Sequence, residues 1–247
     1  MVLLHNVYVG EFLGTMVLIL FGDGSVALTL LNKSKGYVLS GNGISSGWII
    51  IIIGWFVGVT AGIAVAKATG SSYAAINPAV AISFVIAGIM PAKLLPGVIA
   101  AEIGGAFLGA ILVYLTYYDH YKSTEDSLIK LSTFSTVPNI RNIPHNFITE
   151  LIATFVLVIG VYGFLYAKIS VLLSPSLSIG LLVWGIGAAL GGATGYCINP
   201  ARDLGPRIAH AILFKQESSD WSYGLIVPIF APIAGTLIAS LLYLAAF

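Results

Sequence analysis

Residues 7–31 carry only two charged side chains, Glu11 and Asp23, and apolar stretches of the same kind recur at 48–66, 94–116, 147–167, 177–192 and 221–247. A helix on the surface of a soluble domain needs a polar face, and these stretches offer almost none. Most approach the roughly 20 residues that cross about 30 Å of hydrocarbon. Composition agrees: the chain is 58% hydrophobic and 9% charged, against roughly 45–50% and about 25% for an average soluble domain. The expectation is an all-α membrane protein with six transmembrane helices. The first stretch is too long for a signal peptide and no small-residue cleavage site follows a basic segment, so it is expected to be retained.

Other function classes fall away on the same composition. A net charge of +1 without a basic patch gives no footprint for nucleic acid. Cys197 is the single cysteine, which excludes an intrachain disulfide and a cysteine metal site. His5, His120, His145 and His210 have no partner four residues away and are expected at the membrane interface, with no metal and no cofactor.

The chain repeats itself. A Glu stands inside an apolar helix twice, in Gly10-Glu11-Phe12-Leu13-Gly14-Thr15 and in Thr149-Glu150-Leu151-Ile152-Ala153-Thr154. Each copy is followed by Asn-Pro-Ala, at Asn77-Pro78-Ala79 and Asn199-Pro200-Ala201. Three spans per copy is an odd number, so the second copy enters from the opposite face and the repeats are inverted. The reading is one channel domain over 1–247, with a first repeat at 1–118, a connecting loop at 119–144 and a second repeat at 145–247. Asp119, Lys122, Glu125, Asp126, Lys130 and Arg141 put that loop in water.

Each Asn-Pro-Ala heads an apolar segment too short to span. A helix from Asn77 to Gly88 rises only about 17 Å, and 199–213 behaves likewise in the other half. Asn is a strong N-cap and Pro is favoured at the first helical position, where its missing N–H leaves no orphan donor. Two half-helices entering from opposite faces meet N-terminus to N-terminus, which brings both positive dipole ends to one point at mid-membrane. There the side-chain amides of Asn77 and Asn199 can donate to a passing oxygen, while the positive potential opposes protons and other cations. The non-helical backbone before each Asn, 70–76 and 191–198, must line a watery cavity or be buried in protein. The carbonyls of Tyr73, Ala74, Ala75, Gly195, Tyr196 and Cys197 then form a row of acceptors. Opposite apolar side chains, such a row suits a polyol.

Several motifs in order now resemble the aquaporin superfamily, in its glycerol-conducting branch, the aquaglyceroporins. They are Glu11-Phe12-Leu13-Gly14-Thr15, Asn77-Pro78-Ala79-Val80, Thr133-Phe134-Ser135-Thr136 with Pro138, Asn199-Pro200-Ala201-Arg202-Asp203 with Gly205-Pro206-Arg207, and Val227-Pro228 with Pro232. The resemblance implies the aquaporin fold: six spans plus two re-entrant half-helices in two inverted repeats. It implies a selectivity filter of Arg202, Trp55, Tyr196 and Gly187, the last where water-selective relatives carry His, with Asp203 and Arg207 in support. It further implies passive conduction of glycerol and water, with urea and other small neutral solutes as candidates, by a homotetramer in the plasma membrane. Both termini would be cytoplasmic, although Lys33, Lys35, Lys122, Lys130, Arg141 and Lys215, set against Lys67, Lys93 and Lys168, give a positive-inside count of the opposite sense. The chain departs from the family pattern at Tyr73 and Ala75, which replace Gly and His, at Glu102, which replaces Gln, and by two extra residues between Trp55 and Asn77.

Each singled-out residue has a plainer reading. Glu11 and Glu150 suggest a proton relay, but each can simply accept hydrogen bonds from the irregular loop of its own repeat. Glu102 divides between packing and a pH-responsive role. Asp23 reads as hydrated near the outer end of its span. The glycines at 54, 58 and 62, at 105 and 109, and at 187, 191 and 195 read as helix-packing positions, and Cys197 as a small packing residue. Three other functions compete with the glycerol channel. One is a strictly water-selective pore, disfavoured by Gly187. Another is an ion-coupled secondary transporter with Glu11, Glu102 or Glu150 carrying protons, and the last is a junction protein that barely conducts.

Overall fold

Helix α1 (Val7–Leu30) begins where Asn6 caps it, the Asn6 Oδ1 accepting from Val9 N–H at 3.0 Å. The other helices follow as α2 (Lys35–Ser40), α3 (Ser46–Ala68), α4 (Pro78–Ile86), α5 (Leu95–Thr116), α6 (Tyr118–Ser123), α7 (Ser127–Ser132), α8 (Ile143–Ala167), α9 (Pro175–Ala189), α10 (Pro200–Leu213), α11 (Trp221–Gly224) and α12 (Val227–Ala246). The computed structural model describes residues 6–40, 46–167 and 174–246. His5, Lys168 and Phe247, named above, lie outside the described residues.

Five apolar helical stretches of 22 to 26 residues, carried by α1, α3, α5, α8 and α12, are long enough to cross a bilayer. The sixth expected span is α9, whose 15 residues rise about 22 Å. It starts two residues earlier and ends three earlier than the apolar run, because Ser174 caps it and Pro175 takes the first helical position. The half-helices fall where expected: α4 has 9 residues and α10 has 14, each headed by its Asn-Pro. The protein has the aquaporin fold.

Packing follows the internal symmetry. Helix α1 lies against α3 and α5, as α8 lies against α9 and α12, and α3 against α9 joins the two repeats. Each half-helix crosses over: α10 packs on α5 and α4 on α12. Close approach is obtained by glycine at matching places. A Cβ on Gly105 of α5 would lie 2.1 Å from the Phe12 carbonyl oxygen of α1, and one on Gly235 of α12 would lie 2.4 Å from the Leu151 oxygen of α8. Gly58 and Gly62 of α3 press on the Leu18 and Gly14 carbonyls in the same way, a Cβ on either lying only 2.7 Å from the carbonyl oxygen. These are backbone-to-backbone contacts, so no rotamer change relieves an added methyl.

The segment 119–144 is less aqueous than its charges suggest. Tyr121, Leu131 and Phe134 are buried within it, and Tyr121 Oη shares a 2.7 Å hydrogen bond with Thr133 Oγ1. Its cations are tied down: Lys130 Nζ donates to Glu217 at 2.6 Å, and Arg141 donates through both terminal nitrogens to Asp220, at 2.5 and 2.9 Å. Tyr121 of α6 and Leu131 of α7 turn onto the bundle, while Tyr118 and Leu128 stay exposed beside the charged residues.

Arg141 beside Asp220 holds that carboxyl below the ordinary carboxylate range. A depressed folded value means that the stabilisation is complete above about pH 4 and is lost as pH falls through the folded value. The pair is partly exposed, so the effect is small. Asp220→Asn is expected to lower the apparent Tm of the detergent-purified protein by about 2 °C or less at pH 7. The difference should shrink as pH falls through the lowered Asp220 value, and a difference that does not change with pH would show that the ion pair is not its source.

Candidate functional site

The two Asn-Pro corners are built alike. The Asn77 Oδ1 accepts from Ala79 N–H at 2.9 Å, and the Asn199 Oδ1 accepts from Ala201 and Arg202 N–H at 3.0 and 3.3 Å. Their amide nitrogens then cross between the repeats: Asn77 Nδ2 donates to the Ile198 carbonyl at 2.8 Å, and Asn199 Nδ2 donates to the Ile76 carbonyl at 2.9 Å. A primary amide has two N–H donors. Each Asn therefore spends one on locking the half-helices together and keeps one, and both side chains border the same cavity.

The approach to each corner is strained in the same pattern. Ala74 and Ile76 adopt φ of 46° and 43°, and Tyr196 and Ile198 adopt 40° and 43°. Non-glycine residues in this left-handed region cost on the order of 1–3 kcal/mol each, so something must hold them. In the first repeat the Glu11 carboxylate accepts from Ser71 Oγ at 2.5 Å, Ala75 N–H at 3.0 Å and Ile76 N–H at 2.7 Å. In the second the Glu150 carboxylate accepts from Thr194 Oγ1 at 2.6 Å, Cys197 N–H at 2.8 Å and Ile198 N–H at 3.0 Å. Both carboxylates are fully buried and neither borders the cavity. The amides turned onto the two Glu side chains leave the loop carbonyls for other partners. Ser71 and Thr194 escape the sequence reading; a small hydroxyl residue beside the Gly-containing stretch before each Asn is the signal that would have found them.

A cavity of about 180 Å³ runs past both corners. Tyr73, Ala74, Ala75 and Ile76 of the non-helical segment before Asn77 border it, together with Tyr196, Cys197 and Ile198 of the segment before Asn199. Stripes at four-residue spacing complete the lining: Trp55, Val59, Ile63 and Lys67 on α3, Leu157, Val161 and Leu165 on α8, and Ile179 and Val183 on α9. Four-residue spacing keeps one helix face toward the lumen. Gly195 borders a separate recess, with Trp48, Val137 and Asn139, rather than this cavity.

Trp55, Tyr196 and Arg202 all border this cavity. The Arg202 guanidinium lies over the Trp55 ring, 4.0 Å from its centroid. The indole is seated against α1 at Gly22, where a Cβ would come within 2.3 Å of it. Gly187 does not border the cavity; it lies beneath the Tyr196 ring, and a Cβ there would be 2.9 Å from Tyr196 Cζ and from Ile52 Cγ2. Trp48 fixes the other side of this ring, packing edge-on at 5.8 Å between centroids while its Nε1 donates to the Gly187 carbonyl at 3.1 Å. Glycine at 187 thus makes room for an aromatic ring that faces the lumen.

Asp203 and Arg207, which follow Arg202 on α10, form a closed buried network. Arg207 Nε donates to Asp203 Oδ1 at 2.7 Å and Arg207 Nη2 to Oδ2 at 3.0 Å, and Thr136 adds its N–H and hydroxyl to Oδ2 at 2.8 and 2.6 Å. Remaining Arg207 donors reach the Ser219 and Thr136 carbonyls at 2.7 and 3.1 Å. This ties the segment after Phe134 to α10, which a pairing of Asp203 with Arg207 alone would not suggest.

Two expectations change. Asp23 is not hydrated: it is 1% exposed and lies 3.5 Å from Arg202 Nη1. His210 is not interfacial: it is fully buried, with Nδ1 2.8 Å from Ser219 Oγ and its ring against Phe134 and Phe214. Glu102, read from the sequence as divided between packing and a pH-responsive role, is buried, and its Oε1 accepts the Asn77 backbone N–H at 2.8 Å. Cys197 is buried, with Sγ 3.3 Å from the Asn199 carbonyl and 3.6 Å from that of Pro228.

The sequence matches the major intrinsic protein family over residues 2–243. It is 49% identical over 240 residues to the probable glycerol uptake facilitator protein of Thermotoga maritima, covering 96% of this chain and 98% of that one. It is 44% identical over 236 residues to glycerol uptake facilitator protein 3 of Lactiplantibacillus plantarum, covering 95% and 94%. Among solved structures it is similar to the aquaglyceroporin from Plasmodium falciparum, with a TM-score of 0.81 at 29% identity, over 96% of this chain and 94% of that one.

Proposed function

The chain belongs to the major intrinsic protein family, and from that premise we propose that it is a passive channel conducting glycerol, water and other small neutral solutes such as urea. It is a multi-pass membrane protein and not an enzyme. The observation that carries the reading is the mixed lining of the cavity: the two non-helical segments with Asn77 and Asn199, which bring polar groups, and stripes of Val, Ile and Leu from the helices. A polyol presents hydroxyls on one edge and C–H groups on the other, so both of its faces find a partner there. Names of the relatives support glycerol as the solute.

In this reading Trp55, Tyr196 and Arg202 form the selectivity filter, and Gly187 sets its width from behind. Asn77 and Asn199 each offer their remaining N–H to the solute at the corner where the half-helix dipoles oppose cations. The carbonyls of Tyr73, Ala74, Ala75, Tyr196 and Cys197 accept along the polar wall, with Gly195 extending that row beyond the cavity. Glu11, Glu150, Asp203 and Arg207 hold the loops and α10 in place. Four copies would assemble with one pore each in the plasma membrane.

Stopped-flow light scattering on proteoliposomes tests the proposal. Glycerol flux well above that of empty vesicles, linear in concentration and indifferent to a pH gradient, is expected. Water flux without glycerol flux would leave a water-selective pore, and saturable flux that follows the pH gradient would leave a carrier.

A further inference from the structure

Arg202 is held by an acid from the other repeat. Its guanidinium has one face on Trp55 and its Nη1 turned to Asp23 Oδ1 at 3.5 Å, and Nη1 and both Asp23 oxygens lack hydrogen-bond partners among the described residues. The acid next to Arg202 in sequence cannot serve as its counter-charge, because both Asp203 oxygens are taken by Arg207 and Thr136. A carboxylate this deep in a membrane helix is expensive and calls for a partner. At 3.5 Å the two are an ion pair but not a tight charge-assisted hydrogen bond, which would be about 2.7–2.9 Å.

We propose that Asp23 is a specificity-determining residue of the pore, acting as the counter-charge that keeps the Arg202 end of the lumen electrically neutral. The proposal rests on the reading that Arg202 faces the permeating solute. A lone guanidinium in a narrow, low-dielectric passage excludes cations but also makes an anion site. With a carboxylate in contact the field beyond a few ångströms shrinks to that of a dipole. The N–H groups of Arg202 turned away from Asp23 can still donate to a hydroxyl, which needs no net charge. Neutral solutes are therefore served while small anions are not drawn in.

The test uses the full-length protein in vesicles that carry a chloride-sensitive or a potassium-sensitive dye, with glycerol flux measured on the same preparation. Asp23→Asn keeps the shape and an oxygen toward Nη1 but removes the charge, and is expected to raise chloride flux about tenfold. Arg202→Val leaves Asp23 as an unpaired negative charge and is expected to raise potassium flux, and adding Asp23→Asn to it should remove that gain. Native chloride flux in the folded Asp23→Asn protein overturns the proposal, as does lost glycerol flux with unshifted ion fluxes, which would make Asp23 a packing residue. If Asp23→Asn does not fold alone, equal potassium flux in Arg202→Val and in the double variant overturns it. Absence of glycerol flux in the unaltered protein would instead sink the glycerol reading, while the ion fluxes still judge Asp23.

Discussion

Gly187→His is expected to cut glycerol permeability about tenfold or more while water permeability falls only a few-fold. Nothing at this position is open: an added Cβ already comes within 2.9 Å of Tyr196 Cζ, 2.9 Å of Ile52 Cγ2 and 3.1 Å of Tyr196 Oη. Ile52 is buried and Trp48 stands edge-on to the Tyr196 ring, so the direction left to the ring is into the lumen. An imidazole would follow it, adding a polar group beside Arg202. A passage that admits a three-carbon chain is narrowed toward the width of water, and the ratio of glycerol to water permeability is the quantity to measure. Gly187→Ala should move that ratio the same way by less. A ratio unchanged in both variants would mean that the Tyr196 ring does not limit the passage.

How far the sequence discloses such features depends on whether they are local. The half-helices were legible because Asn-Pro is a start signal complete in itself, and the spans because each apolar run is continuous. The inward tilt of Glu11 and Glu150 could be anticipated from their cost in a bilayer. Their actual partners join residues 60 to 65 and 44 to 48 positions apart, which no local pattern encodes. Asp23 shows the limit most clearly. From sequence it sits near the end of an apolar run and reads as solvated, yet the swap that carries α10 across to α5 brings Arg202 beside it. His210 is misread for a related reason: Phe214 is its neighbour on α10, but Phe134 comes to it from the connecting segment and Ser219 from the turn after the helix. Gly187 reads from sequence as a filter position and a helix-packing glycine; its bareness admits the Tyr196 ring, a relation between α9 and a loop that only packing reveals.

Glu150→Ala is expected to be the most destructive single change outside the lumen. It strips the acceptor from three buried donors at once, Thr194 Oγ1 and the N–H groups of Cys197 and Ile198. Each unsatisfied buried donor costs about 1–3 kcal/mol, and the left-handed Tyr196 and Ile198 lose what holds them. The total is several kcal/mol, a large part of a typical stability of about 5–15 kcal/mol, so an apparent Tm lower by about 10 °C or more, or no folded protein, is the expected result. Glu11→Ala should behave alike because Ser71, Ala75 and Ile76 make the corresponding bonds. The isosteric Glu150→Gln separates bracing from proton transfer. It keeps one carbonyl oxygen for these donors but cannot carry a proton, so a brace predicts a destabilised protein whose glycerol flux per folded molecule persists and ignores pH gradients. Flux abolished in a protein that remains folded would move Glu150 from scaffold to relay and favour the carrier over the channel.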